Sequence, residues 1–312
     1  MSSPDIVILG IFVADTTYRA ERQPRLGETI LGRSFSLGPG GKGSNQAVAA
    51  ARAGGHVGMI TRLGRDVFAD MALDIWREAG VTSLASTHDD GQTGAAFIFV
   101  DDVSGDNAII VTQGIAAEIG PEDLDARRAE IQGAKVFLTQ LEQPLDAAHQ
   151  GLAIAREGGV QTILNPAPAT ELPDAMLALC DVLTPNETEA EALTGIAVSS
   201  VAEAERAADT LLAKGVGAVI VTLGERGALY RDATRSLHVE GLDAGPVAET
   251  TGAGDAFNGA LAVAFAEGLD AADAVRFANA TAALSVTRSG AAASMPDRAG
   301  IDALLERSRQ AE

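Results

Sequence analysis

From Pro121 onward, short apolar runs alternate with longer amphipathic segments, and this alternation restricts the fold more than any other feature. Helices are expected over 122–131, 145–157 and 200–214, with strands at 135–139, 161–164, 182–184 and 218–222. Buried strands joined through helices require right-handed crossovers and a parallel sheet. Ile6-Val7-Ile8-Leu9, ending at Gly10, is a further continuous apolar run of that kind. In such sheets ligands bind beyond the carboxyl ends of the strands. The residues that follow each strand are therefore the ones to read for chemistry.

The first half interrupts the pattern. Asp15 is the first acid past the opening strand. The stretch 16–37 contains Pro24, Gly27 and Gly32, and 28–31 and 33–37 alternate like half-exposed strands. A second pair of strands, 95–100 and 107–111, flanks Asp101-Asp102-Val103-Ser104-Gly105-Asp106, which is hairpin chemistry. These pieces predict an antiparallel flap of about 14–37 and 95–112, inserted into one domain spanning 1–312. One face of that flap must be covered by the site, by ligand or by a second subunit. Between the two pieces, 46–53 reads as helix, 56–61 as strand and 68–79 as amphipathic helix with Trp76 in the core. The remaining helices are expected over 257–267, 270–287 and 302–309, with 288–294 as loop.

Charge narrows the partners. With 43 acidic against 23 Lys and Arg residues, the formal net charge is −20, which argues against nucleic acid and anionic membranes. A site for a polyanion must then build its own positive field. Lysine occurs only as Lys42, Lys135 and Lys214. Lys42 lies within Gly38-Pro39-Gly40-Gly41-Lys42-Gly43-Ser44-Asn45-Gln46. The formal G-x-G-x-x-G there follows the flap and not the first strand, which is wrong for a dinucleotide fold, and Lys42 precedes Gly, which is wrong for a Walker loop. A backbone cradle remains, with Lys42 and Asn45 able to donate to hydroxyls of a small polar ligand. The alternative is a Gly-rich turn with a solvated lysine. Cys180 is the single cysteine, so no disulfide framework exists and a reducing cytoplasm is expected. The N-terminus lacks a basic signal-peptide region, and no apolar run is long enough to span a bilayer.

Three further stretches lie at expected strand ends. Gln140-Leu141-Glu142 and Asn165-Pro166-Ala167-Pro168 are polar. Asn186 and Glu189 stand three apart at a helix start, where both can face one ligand, suiting Mg²⁺-bound water and phosphate; an ordinary acidic first turn is the alternative. Thr222-Leu223-Gly224-Glu225-Arg226-Gly227 is a Gly-punctuated turn fit for a nucleotide. His149 and His238 have no partners at metal-ligand spacing. Finally, Glu249-Thr250-Thr251-Gly252-Ala253-Gly254-Asp255-Ala256-Phe257 leads into an Ala-rich helix. The helix start welcomes an anion. Asp255 there is either a helix N-cap or a base that takes a proton from an attacking hydroxyl, and the residues alone leave both readings open.

Taken together, Gly40 to Gln46, Thr250 to Phe257 and Asn186 to Glu189 resemble the paired Gly-rich signatures and the N-x-x-E motif of the ribokinase-type (PfkB) carbohydrate kinases. The resemblance runs the whole length and includes Leu164 to Pro168 and Phe257 to Leu261. It implies an α/β fold, a three-layer αβα mostly parallel sheet with a small β-sheet lid. It implies transfer of the ATP γ-phosphoryl group to the terminal primary hydroxyl of a pentose, a reaction that depends on positioning and charge neutralisation. It makes Asp255 the base, with the amides of Gly252, Ala253 and Gly254 as the anion hole. Asp15, Gly41, Lys42, Asn45 and Glu142 match sugar contacts, with Val13 in the same pocket. Asn186, Thr222, Gly224, Gly227, Gly254 and Asn279 match ATP contacts, with Mg²⁺ near Asn186 and Glu189. Activating K⁺ falls near Glu249, Thr251, Val286, Ser289, Ala291 and Ser294. A homodimer through the lid is implied as well.

Two positions depart from the family pattern. Val13 stands where a sugar-binding Asn is usual, and leaving a sugar hydroxyl unpaired against it costs on the order of 1–3 kcal/mol. That points to a sugar other than ribose, 2-deoxyribose first, since deoxyribokinase relatives carry an apolar residue there. Glu249 replaces the usual Asp, and K⁺ activation is expected to survive the change. Other sugar or nucleoside kinases of the family, and a catalytically silent sugar-binding protein, are the competing readings.

Overall fold

A computed structural model describes residues 3–311. In chain order the elements begin with β1 (Ile6–Leu9), β2 (Val13–Ala20), β3 (Ser34–Gly40), α1 (Lys42–Arg52), β4 (Val57–Ile60), β5 (Arg62–Leu63) and α2 (Val67–Ala79). Next come β6 (Thr82–Ser83), β7 (Ser86–Thr87), β8 (Thr93–Asp101), β9 (Asn107–Gly114), α3 (Pro121–Ala126), α4 (Arg128–Gln132), β10 (Val136–Thr139) and α5 (Leu145–Glu157). Then follow β11 (Gln161–Leu164), α6 (Asp174–Leu177), β12 (Val182–Leu183), α7 (Glu187–Thr194), α8 (Val201–Leu212) and β13 (Ala218–Thr222). The chain closes with β14 (Ala228–Asp232), β15 (Ser236–Val239), α9 (Ala253–Ala266), α10 (Ala271–Ser285) and α11 (Arg298–Ala311).

Nine strands form the main sheet in the order β15-β14-β13-β12-β11-β10-β1-β4-β6. From β13 to β6 all neighbours are parallel, while β14 and β15 add an antiparallel edge. Successive side chains of a strand face opposite sides, and β1 shows it. Ile6 and Ile8 join a core with α1, α2, α9 and α10; Val7 and Leu9 join a second core with α5, α7 and α8. The result is the expected three-layer αβα fold. A separate four-stranded sheet, order β3-β2-β8-β9, is the flap, and its β2 and β8 pair in parallel across an antiparallel frame.

Several boundaries differ from the sequence expectation. Residues 28–31 form no strand, because Glu28 is tied into a local turn by Arg22 and the Arg25 amide. Gly38 to Gly40 belong to β3, so the Gly cluster is a strand end and not a turn, and α1 starts directly at Lys42. The helix expected at 122–131 breaks at Arg127 into α3 and α4. Helix α9 begins at Ala253, earlier than the apolar run suggests, and so carries Asp255 within its first turn.

Candidate active site

Helices α1 and α9 cross closely because both are rich in small residues. A Cβ on Gly259 would stand 2.6 Å from the Gln46 carbonyl oxygen and 2.7 Å from Ala49 Cβ. This approach brings the two Gly-rich signatures to one point. Asn45 Nδ2 donates to Asp255 Oδ2 at 3.0 Å, and Gln46 Nε2 donates to Asp255 Oδ1 at 3.1 Å. The N-cap of α9 is Gly252, at φ 80°, a left-handed conformation that suits glycine. Asp255 is therefore not the N-cap, and its carboxylate turns away from the helix end toward α1. The Ala253 amide donates back to Thr250 O at 3.2 Å, so one of the three amides expected in the anion hole is shared with the turn.

The cradle is built by close backbone approach. At Gly41 (φ 88°) a Cβ would stand 2.5 Å from the Ile11 carbonyl oxygen, so β1's exit and α1's start pack backbone to backbone. The Asp15 carboxyl lies directly over Gly40, where a side chain would sit. Glu142, from the segment after β10, accepts from the Lys42 backbone amide at 2.7 Å. Val13 is buried on the same strand face as Asp15, two residues away.

Charge at this point is concentrated. Burial raises the Asp15 carboxyl to about 6. Burial also raises Glu142 to about 7, against the opposing pull of Lys42. Asp255 is raised by burial, opposed by Lys42 and by the amides of Asn45 and Gln46. Burial works against the Lys42 ammonium, yet Asp255, Glu142 and Glu189 together outweigh it and raise its pKa. The charges of Asp255, Glu142 and Glu189 thus all favour the Lys42 ammonium, with none of them in a close ion pair with it.

Asn186 N-caps α7 in a capping box. Its Oδ1 accepts from the Glu189 amide at 2.8 Å, and Glu189 Oε2 accepts from the Asn186 amide at 2.9 Å. This leaves Glu189 Oε1 for another partner. Thr222 bridges to Asn186 at the sheet's carboxyl edge. Arg226 holds the 222–227 turn against α7 through Glu187 Oε1 at 2.7 Å. Asn279 Nδ2 donates to the carbonyls of Val239 and Glu240 at 3.1 and 3.2 Å, so its amide supports the strand end beside the Thr222 turn.

The loop after α10 closes on Glu249. Glu249 Oε2 accepts from the Gly290 amide at 2.9 Å, and Val286 O accepts from the Ala248 and Glu249 amides. Ala291 O accepts from Ser294 Oγ at 2.8 Å, and a Cβ on Gly252 would stand 3.1 Å from Ala291 Cα. The residues expected around a monovalent cation are thus packed beside the start of α9.

Sequence reasoning missed two features. Gln113, on β9 of the flap, donates to the Glu142 carbonyl oxygen and ties the flap to the sugar-side acid. Nothing in its sequence surroundings marks it. Gln46 was visible only as the end of the Gly cluster, and its contact with Asp255 requires the α1–α9 crossing.

Known proteins share this architecture. Residues 3–298 match the family model described as pfkB family carbohydrate kinase. A ribokinase of Haemophilus influenzae is 37% identical over 94% of this chain and 95% of its own length. A deoxyribokinase of Salmonella typhi is 35% identical over the same shares, 94% and 95%. The structure of Arabidopsis thaliana ribokinase complexed with ribose and ATP superimposes with a TM-score of 0.92, at 32% identity, covering 98% of this chain and 99% of that one.

Proposed function

The chain belongs to the pfkB family of carbohydrate kinases, and from that premise we propose that it phosphorylates the terminal primary hydroxyl of a pentose with ATP, ribose being the first substrate. It is a phosphotransferase acting on an alcohol group. The observation that carries the reading is the placing of Asp255: a buried carboxylate in the first turn of α9, beside the glycine-lined helix start and held by the side-chain amides of Asn45 and Gln46.

In this reading Asp15, Gly41, Lys42, Asn45 and Glu142 hold the sugar, with Val13 beside them. Asp255 accepts the proton of the sugar's terminal hydroxyl while that hydroxyl's oxygen bonds to the γ-phosphorus. The bond from that phosphorus to the bridging oxygen breaks, and its electron pair leaves with ADP. The amides of Gly252, Ala253 and Gly254 and the Lys42 ammonium neutralise the charge on the transferred group. Asn186, Thr222, Gly224, Gly227 and Asn279 line the nucleotide side.

Among the described residues no group of three or more His, Cys, Asp or Glu side chains could hold a metal alone. Mg²⁺ with ATP fits that donor set, since it keeps water and phosphate ligands and needs one carboxylate. Glu189, with Oε1 uncommitted beside Asn186, is the residue to hold it, and the ion would screen phosphate charge. Glu249, Thr251, Val286, Ser289, Ala291 and Ser294, several through backbone carbonyls, are the proposed K⁺ site.

The four-stranded flap is proposed as a lid and as the contact of a homodimer, because it carries exposed Tyr18, Phe35, Phe97 and Ile110. No helix among the described residues is long and apolar enough to cross a membrane. The single cysteine, buried, fits a cytoplasmic enzyme. Buried Val13 favours a second reading, 2-deoxyribose as preferred sugar.

The test is a coupled ADP-release assay over pentoses, hexoses and nucleosides, with Asp255→Asn alongside. Turnover is expected on a pentose in the native enzyme. The variant should lose about 10²–10⁴-fold in kcat while still binding sugar. Wild-type turnover in the variant would overturn the assignment of the base.

A further inference from the structure

We propose that Gln46 is a positioning residue for Asp255: it fixes the rotation of the carboxylate and favours its charged form, without touching sugar or nucleotide. The inference rests on Asp255 being the base.

Gln46 is fully buried, with no exposed surface, beneath the carboxylate. Its amide nitrogen has two hydrogens. One goes to Asp255 Oδ1 at 3.1 Å and the other to Asn165 Oδ1 at 3.2 Å. Its Oε1 accepts from Gln140 Nε2. Each orientation follows from the last. The Gln46 nitrogen must face Asp255, since an amide oxygen against a carboxylate would repel. Asn165 must then present Oδ1 to Gln46, leaving Nδ2 for the Thr184 carbonyl oxygen at 3.1 Å. Thr184 Oγ1 donates to Asn258 Oδ1 at 2.6 Å, and Asn258 Nδ2 donates to the Gly254 carbonyl oxygen at 2.8 Å.

The network therefore runs from the ends of β10, β11 and β12 to both Asp255 and the peptide of Gly254. Base and helix start are set by one buried chain of amides. The orientations of Gln46, Asn165, Thr184 and Asn258 are each fixed by a neighbour's donor or acceptor, which stiffens the network, while Gln140 Oε1 is left without a partner. The other donor to Asp255, Asn45, belongs to the proposed sugar site, where a bound sugar would compete for its amide. Gln46, with no exposed surface, is shut off from the site and donates to Oδ1.

The charged groups in range of Asp255 are Lys42 on α1, Glu142 after β10 and Glu189 on α7. None of them is altered by replacing Gln46. Removing a hydrogen bond donated to a carboxylate raises its pKa, because the charged form loses a partner and the neutral form does not. A base whose pKa rises is active over a narrower range at the acid end.

The experiment is the pH profile of kcat at saturating sugar and ATP for the native enzyme, Gln46→Met and Gln140→Leu. For Gln46→Met the acid limb should move up by about one pH unit. On that limb kcat should fall about tenfold, with recovery toward the native plateau at high pH and a sugar KM within about threefold. Gln140→Leu removes the donor to Gln46 Oε1 and loosens the Gln46 amide while its bond to Asp255 remains, so it should move the same limb by less. It also serves if Gln46→Met does not fold. An unmoved limb in the variants that fold overturns the proposal, as does an equal loss at every pH with a raised KM, which is a merely structural effect. Asp255→Asn separates the two levels. Wild-type turnover in that variant refutes the base itself, whereas lost turnover with an unmoved limb in the Gln variants refutes only the role of Gln46.

Discussion

The backbone amide of Lys42 donates to Glu142 Oε2 at 2.7 Å, so an acid one hundred residues away caps helix α1. Helix α1 has no side-chain cap of its own and no acid in its first turn. Glu142 supplies both the acceptor and the negative charge that a helix N-terminus favours. Its carboxyl, raised by burial to about 7, titrates within the working range of an enzyme. A buried acid with a raised pKa makes folding less favourable above that pKa and relieves the penalty as pH falls. Glu142→Gln keeps an oxygen for the Lys42 amide and removes the buried charge. It should stabilise the free protein at pH 8 by roughly 1–2 kcal/mol, with the difference falling to about a quarter of that at pH 5. Thermal melts at both pH values measure this. Equal stability at pH 8 would contradict it.

Sugar choice should turn on Val13. Val13→Asn restores a hydrogen-bonding side chain beside Asp15. The ratio of kcat/KM for ribose to that for 2-deoxyribose is expected to rise about tenfold, since one hydroxyl contact is worth on the order of 1–3 kcal/mol. Parallel assays on the two sugars decide it. An unchanged ratio would remove Val13 from the specificity argument.

Glu249 reaches the Gly290 amide at 2.9 Å and so holds the loop of the proposed cation site. Turnover is expected to be faster in KCl than in NaCl at equal ionic strength. Glu249→Ala should cancel that difference and leave sugar affinity within about threefold. Equal native rates in the two salts would remove K⁺ from the account.

On the flap, Tyr18 packs on Phe35 and Phe97 with ring centroids 5.0 and 5.5 Å apart, yet Phe35 stays 55% and Ile110 71% exposed. An apolar face of this kind on a small sheet is best buried by a second copy. Sedimentation of the native protein should give a dimer. Phe35→Glu should shift it to monomer at micromolar concentration. A native protein that sediments as a monomer would refute the lid contact.

Much was legible in the sequence because it rests on local rules. Continuous apolar runs and 3.6-residue periodicity located 145–157, 161–164 and 218–222 as α5, β11 and β13. Turn chemistry located the hairpin of β8 and β9. The Gly-rich stretches drew attention to Lys42, Asn45 and Asp255, the family resemblance gave Asp255 its role as base, and α1 and α9 bring Asn45 and Asp255 together. Residues 28–31 misled because alternation also occurs in an irregular segment whose hydrogen bonds are local.

The sequence by itself determined a parallel sheet with helical crossovers, the flap and the residue types gathered at the strand ends, since periodicity and glycine punctuation act over short distances, and the resemblance added the three-layer arrangement. Only the tertiary structure decided what surrounds Asp255. Its amide partners lie on a helix more than two hundred residues away. That contact depends on two Ala- and Gly-rich helices crossing closely enough for a glutamine to reach across. Side-chain volume at such a crossing is a property of both helices at once, and neither stretch of sequence carries it alone.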